Sequence, residues 1–178
     1  MASVSRLATL TLSAITIAAW FFIAGWSDPV VTIYELATRG GAVRASEVWT
    51  LFTSQFVHVH RAHMFLNVAH LLLLGWWLEP RLRAWRLLAV YLGGGAAGQL
   101  AVVLMGGIAT GASQSTAALA GAAVTMARTR FQVIATAVVI VMIAALDLWF
   151  AQTIKIGHVV GCLAGALISI LLRSRAAR

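Results

Sequence analysis

The run Gly111-Ala112-Ser113-Gln114-Ser115-Thr116-Ala117-Ala118-Leu119-Ala120-Gly121 sets a serine behind a small, glycine-led turn at the head of an apolar segment. A serine hydroxyl there can act as a nucleophile only if a base and an oxyanion site come with it. An imidazole titrating near neutrality is a suitable base. His158 lies in the last apolar segment of the chain, and His63 lies in an earlier one with Asn67 four residues further on. Four residues bring the latter two to one helix face, a turn apart. The same earlier segment, 56–78, carries His58, His60 and His70. These do not form a convincing metal site. No intramembrane carboxylate or thiolate joins them at ligand spacing, no H-E-x-x-H occurs, and Cys162 is the one cysteine. No metal and no cofactor are expected, and His60 and His70 read as packed, hydrogen-bonded histidines.

The elements that must position these groups are membrane-spanning. Of the 178 residues, 61% are hydrophobic and only 10% charged, where a soluble domain carries about 25% charged residues. Mean hydropathy is +0.92. The net charge of +8 comes from short basic clusters between apolar runs, which is a topology signal and not a phosphate-binding face, so no nucleic-acid partner is expected. The glycine content suits packed membrane helices, and nothing marks a linker or second domain. The chain reads as a single membrane domain over 1–178.

Six apolar segments, each near the ~20 residues that cross the hydrocarbon layer, are read at 7–26, 56–78, 85–105, 113–127, 131–150 and 154–172. The first is expected to be a retained span. It is long for a signal peptide, and no clear small-x-small site precedes Asp28-Pro29. If the spans alternate, Arg6, Arg81, Arg83, Arg86, Arg128, Arg130, Arg173, Arg175 and Arg178 share one side. Arg39, Arg44, Arg61 and Lys155 fall on the other, with Asp28, Glu35, Glu47 and Asp147. That excess puts both termini in the cytoplasm of a multi-pass cell-membrane protein. The outer loop 27–55 holds Tyr34, Leu36, Val43, Val48, Trp49, Leu51 and Phe52, enough apolar side chains to form short helices in the membrane face.

Counting 1.5 Å per residue from the inner boundary puts His63 about 24 Å, Asn67 about 18 Å and Ser113 about 21 Å up. His158, entering from the other end, lies about 5–8 Å below the outer surface. The candidate site therefore opens toward the extracytoplasmic side. Ser113, Ala117 and Gly121 repeat every fourth residue on one helix, and Gly161 and Gly165 form G-x-x-x-G on another. Such stripes permit close helix packing, which would bring Ser113 within hydrogen-bonding range of His158. Asp147, at the far end of the preceding span, is a poor candidate to orient His158.

Taken in order, Glu47-Val48-Trp49, His58-x4-His63-x3-Asn67, Gly111-Ala112-Ser113 and His158-x2-Gly161-x3-Gly165 resemble the rhomboid intramembrane serine proteases over nearly the whole chain. Leu78-Glu79, Arg86 and Tyr91-Leu92 also look like the family's join between its second and third spans. The resemblance implies an all-α membrane protein with a six-transmembrane-helix bundle. It also implies a Ser–His dyad of Ser113 and His158, with an oxyanion site from His63, Asn67 and the Ser113 N–H. Three positions depart from the family pattern: Thr50 stands for an arginine, Gln114 for a glycine, and Ala117 for an aromatic that packs on the histidine. The expected activity is a serine endopeptidase acting on transmembrane protein substrates within the lipid bilayer. An inactive rhomboid-like client binder is the alternative, and a channel is disfavoured by the lack of intramembrane carboxylates and of paired broken helices.

Overall fold

The computed structural model describes residues 6–24, 29–40, 46–151 and 155–174. The expectations on Asp28, Val43, Arg44, Arg175 and Arg178 lie outside the described residues. Helix α1 (Leu7–Ala24) is apolar apart from a few hydroxyl residues and has no glycine or proline. Its first turn leaves backbone N–H groups without helical acceptors. The carboxylate of Glu79, projecting from α4 (Arg61–Leu82), accepts the N–H of Ala8 at 3.0 Å, the N–H of Thr9 at 2.9 Å and the Thr9 hydroxyl at 2.7 Å. A buried anion at a helix N-terminus is stabilised by the helix dipole, so Glu79 ties the first helix to the bundle. Gly75 lets α1 come close, since a Cβ there would lie 2.6 Å from Thr9 Oγ1.

The outer loop folds as α2 (Pro29–Leu36), a two-residue strand β1 (Thr38–Arg39), and α3 (Thr50–Thr53) running into a 3₁₀ turn, Ser54–Phe56. Tyr34, Val48, Trp49 and Phe52 are exposed on it. β1 pairs antiparallel with β2 (Ile108–Ala109), Thr38 opposite Ala109, which the sequence does not announce. Thr38 and Ser54 both donate to Gln99 Oε1. These bonds clamp the loop onto α6 (Gly94–Leu104), which continues from α5 (Ala84–Leu88) through a π turn at Ala89–Gly93.

One boundary differs from expectation. The apolar run starting at Phe56 does not begin a helix there. Val57 (φ −93°, ψ 126°) and His60 (φ −126°, ψ 135°) are extended, and α4 starts at Arg61. His58 and His60 therefore stand in the bend before α4, while His63, Asn67 and His70 ride on it. His60 is exposed, and His70 is buried with its Nε2 unpartnered, so neither is the packed, hydrogen-bonded histidine expected.

Helix α7 (Ser113–Met126) is the centre of the molecule, enclosed by α4, α6, α8 (Arg130–Ala151) and α9 (Ile156–Ser174). Ala118, Leu119, Ala120 and Ala122 are fully buried, whereas Phe131, Ile134, Val141 and Trp149 of α8 and Leu163 and Leu167 of α9 are exposed. Small residues inside and large apolar ones outside is the arrangement expected of helices solvated by lipid. Among the described residues, three helical segments are long and apolar enough to cross a bilayer: Ala84–Leu104, Arg130–Trp149 and Ile156–Arg173. Leu7–Ile23 is a shorter apolar helix. α7, at 14 residues, rises only about 21 Å, short of the ~30 Å hydrocarbon core. Ala109, Gly111 and Ala112 just before it are buried, the setting in which a membrane tolerates irregular backbone.

Candidate active site

The turn that delivers Ser113 is built by Gly111. Its φ of +94° is a conformation that side-chain-bearing residues rarely adopt, and a Cβ there would lie 3.0 Å from His63 Cε1. The Gly111 N–H donates to Ser54 O at 2.9 Å, which holds the turn against the outer loop. Ala112 then donates its N–H to His58 Nε2 at 3.2 Å. His58 Nδ1 lies 3.3 Å from Phe56 O, a geometry that fixes the proton on Nδ1 and leaves Nε2 as acceptor. Sequence reasoning gave His58 no role. The structure makes it the prop under the serine turn.

A cavity of about 650 Å³ opens beside this turn, and His63, Asn67, Ser113, Thr116, Asp147 and His158 all line it. The side chains of Ser113 and His158 thus face one space, from α7 and α9. They are not hydrogen-bonded to each other, contrary to the sequence-based expectation. Ser113 Oγ donates to Gln114 Oε1 at 3.2 Å, and His158 Nε2 is buried with no partner. The side-chain carbonyl of Gln114, on the adjacent residue, accepts the serine O–H instead. Room for this bulkier residue comes from Gly98 and Gly157, where a Cβ would lie 2.9 Å from Gln114 Cβ and 3.2 Å from Gln114 Cγ respectively.

Asn67 is held in one orientation. Its Nδ2 donates to His63 O at 2.9 Å and lies 3.4 Å from His58 Nε2. The Thr116 hydroxyl lies 3.2 Å from Asn67 Oδ1 and 3.0 Å from Ser113 O. Thr116, three residues beyond the serine, escaped sequence reasoning; only its spacing of one helical turn hinted at the contact. The His63 and His58 rings pack edge to face, with centroids 5.3 Å apart.

Asp147 corrects a second expectation. Its Oδ2 lies 2.7 Å from His158 Nδ1 and accepts the Lys155 N–H at 3.1 Å, and Lys155 Nζ lies 3.9 Å from Oδ1. The carboxylate side chain is 3% exposed. Being near the end of α8 does not separate it from His158, because the start of α9 lies beside it. Ala117 has a visible consequence too. Below His158, it, Ala120, Ile143 and Leu163 surround an apolar cavity of about 230 Å³ whose wall also includes His158 and Asp147.

The packing glycines sit where backbones touch. A Cβ on Gly121 would fall 1.9 Å from Cys162 O, on Gly161 2.6 Å from Gln114 O, and on Gly165 2.0 Å from Ala118 O. α7 and α9 are in direct main-chain contact, and this contact sets the positions of Ser113 and His158. In comparisons with known proteins, the family model of the rhomboid domain matches residues 45–175, most of the chain and every residue of this cavity. No curated protein matches it.

Proposed function

Because the chain belongs to the rhomboid family of multi-pass membrane proteins, we propose that it is an intramembrane serine endopeptidase. In this reading the bundle crosses the membrane six times, both termini are cytoplasmic, and the cavity faces the extracytoplasmic side. Ser113 is the nucleophile and His158 the general base. His158 Nε2 takes the Ser113 proton as Oγ attacks the client's carbonyl carbon, then returns it to the leaving amine. The oxyanion receives hydrogen bonds from His63, Asn67 and the Ser113 N–H, donors held in place before reaction. Water repeats the cycle on the acyl-enzyme. A client helix must unwind first, since its carbonyls are shielded and already hydrogen-bonded, so helix-loosening residues are the expected cue.

The observation that carries this reading is the meeting of Ser113 with an unpartnered, buried His158 Nε2 on one cavity wall. The Ser113–Gln114 bond favours a second reading, an inactive client binder whose serine is held off the base. Purified protein incubated in detergent with single-span reporter substrates is expected to cut them in the outer part of the span, and Ser113→Ala is expected to cut none. Cuts mapping to the cytoplasmic end would reverse the assigned orientation. Client binding without any cut would favour the second reading.

The oxyanion assignment has its own expected result. Asn67→Ala should lower turnover about 10²-fold with client binding nearly intact, the usual cost of one such donor. Steady-state kinetics of Asn67→Ala and of the double variant with His63→Ala measure this. Unchanged cleavage by the double variant would remove both residues from the mechanism.

A further inference from the structure

We infer that Asp147 is a positioning residue that sets the tautomer of His158 for its work as the base toward Ser113. A deprotonated carboxylate only accepts hydrogen bonds. At 2.7 Å between Oδ2 and Nδ1, the shared proton therefore belongs to Nδ1. A neutral imidazole carries one ring proton, so Nε2 keeps its lone pair, and Nε2 is the nitrogen left without a partner in the cavity wall. A base needs that atom bare. The arrangement does in three dimensions what the order of residues in the chain conceals.

The carboxylate is itself fixed. The Lys155 N–H and ammonium approach it from the start of α9, three residues before His158, and its side chain is 3% exposed. During attack the imidazole becomes positively charged, and a buried carboxylate beside it stabilises that charge without taking the proton. The apolar cavity at Ala117 gives the role added weight. Among the described residues no aromatic ring lines that cavity, so the hydrogen bond to Asp147 is what restrains ring rotation.

The alternative is that Asp147 only staples the end of α8 to the start of α9. Asp147→Asn and Lys155→Pro together separate the two. Both bonds fall on Asp147 Oδ2, so an amide that turns its N–H to His158 Nδ1 moves the imidazole proton to Nε2 and gives up the Lys155 N–H. Lys155→Pro, which removes that N–H and the ammonium but leaves the carboxylate on His158, shows what the lost staple alone costs. Nitrogen-15 spectra of histidine-labelled protein, with the His158 signals identified by their loss in His158→Gln, should show Nδ1–H in the native protein. They should show Nε2–H in Asp147→Asn. Labelling of Ser113 by a mechanism-based serine probe should slow about 10²- to 10⁴-fold at neutral pH. Cleavage should lose kcat with little change in KM, and Asp147→Glu should recover part of the rate.

An unchanged labelling rate in Asp147→Asn overturns the inference. So does a slowed variant in which His158 keeps its Nδ1 proton, since that is a staple and no more. The purpose of the arrangement rests on the protease reading, but its geometry does not. Native protein that shows the Nδ1–H tautomer, switched by Asp147→Asn, and yet never reacts with the probe would sink the protease reading and leave the positioning role standing.

Discussion

A mechanism-based serine probe is expected to label the native protein and Ser115→Ala, and to label neither Ser113→Ala nor His158→Ala. Loss of a nucleophile or its base costs about 10⁴- to 10⁶-fold in serine proteases, so labelling should fall to background. The two serines are two residues apart and their surroundings are opposite. Ser113 is partly exposed on the cavity wall. Ser115 is fully buried on the other side of α7, with its hydroxyl donated to Gln55 Oε1 at 2.7 Å. A Cβ on Gly95 would lie 2.1 Å from that hydroxyl, which leaves no path for a substrate. Ser115→Ala has a separate cost. It removes the donor to Gln55 Oε1, and an unsatisfied buried acceptor costs about 1–3 kcal/mol. That variant should therefore melt earlier and still react. Labelling that survives Ser113→Ala and disappears in Ser115→Ala would move the site to the other face of the helix. Labelling of no variant, with native protein folded, would favour the client-binding reading.

The contrast shows what a sequence can and cannot disclose about such a site. Ser113, His158, His63 and Asn67 stood out because polar groups inside apolar segments are costly and few, and the structure brings all four to one cavity. The stripes of Ala117, Gly121, Gly161 and Gly165 were equally readable, because helix periodicity turns spacing into a face. Asp147 was not. Eleven positions separate it from His158, and only the packing of the end of α8 beside the start of α9 makes them neighbours. His58 was hidden for a related reason: hydropathy sees an apolar run from Phe56, whereas α4 starts only at Arg61, after Val57 and His60 in extended conformations. The pairing of Thr38–Arg39 with Ile108–Ala109 is too short to leave an alternating pattern. Gln114 shows a different limit. Its identity was plain, but whether its amide would turn toward the serine depended on the space left by Gly98 and Gly157.

Replacing Gly165 by alanine is expected to unseat the whole site, although Gly165 lies two helical turns from His158 and touches no reacting group. The added methyl would begin 2.0 Å from Ala118 O and 2.5 Å from Ala118 C, both main-chain atoms that no rotamer change can move aside. Alanine gains about 1 kcal/mol over glycine in helix propensity. Overpacking a close-packed interface costs about 1–3 kcal/mol and more where backbone must shift, so the steric term wins. Relief requires α9 to move away from α7 by more than an ångström, and His158 moves with it. A misplacement of that size costs about 10²-fold in a positioned reaction. Gly165→Ala should therefore melt at lower temperature in detergent and react with the serine probe at least about 10²-fold more slowly. Gly93→Ala is the matched control on the neighbouring helix. Its Cβ would meet only the flexible end of Ile168, Cδ1 at 3.3 Å, so it should stay close to native in both measurements. A Gly165→Ala protein as stable and as reactive as the native one would show that the α7–α9 contact does not set the distance between Ser113 and His158.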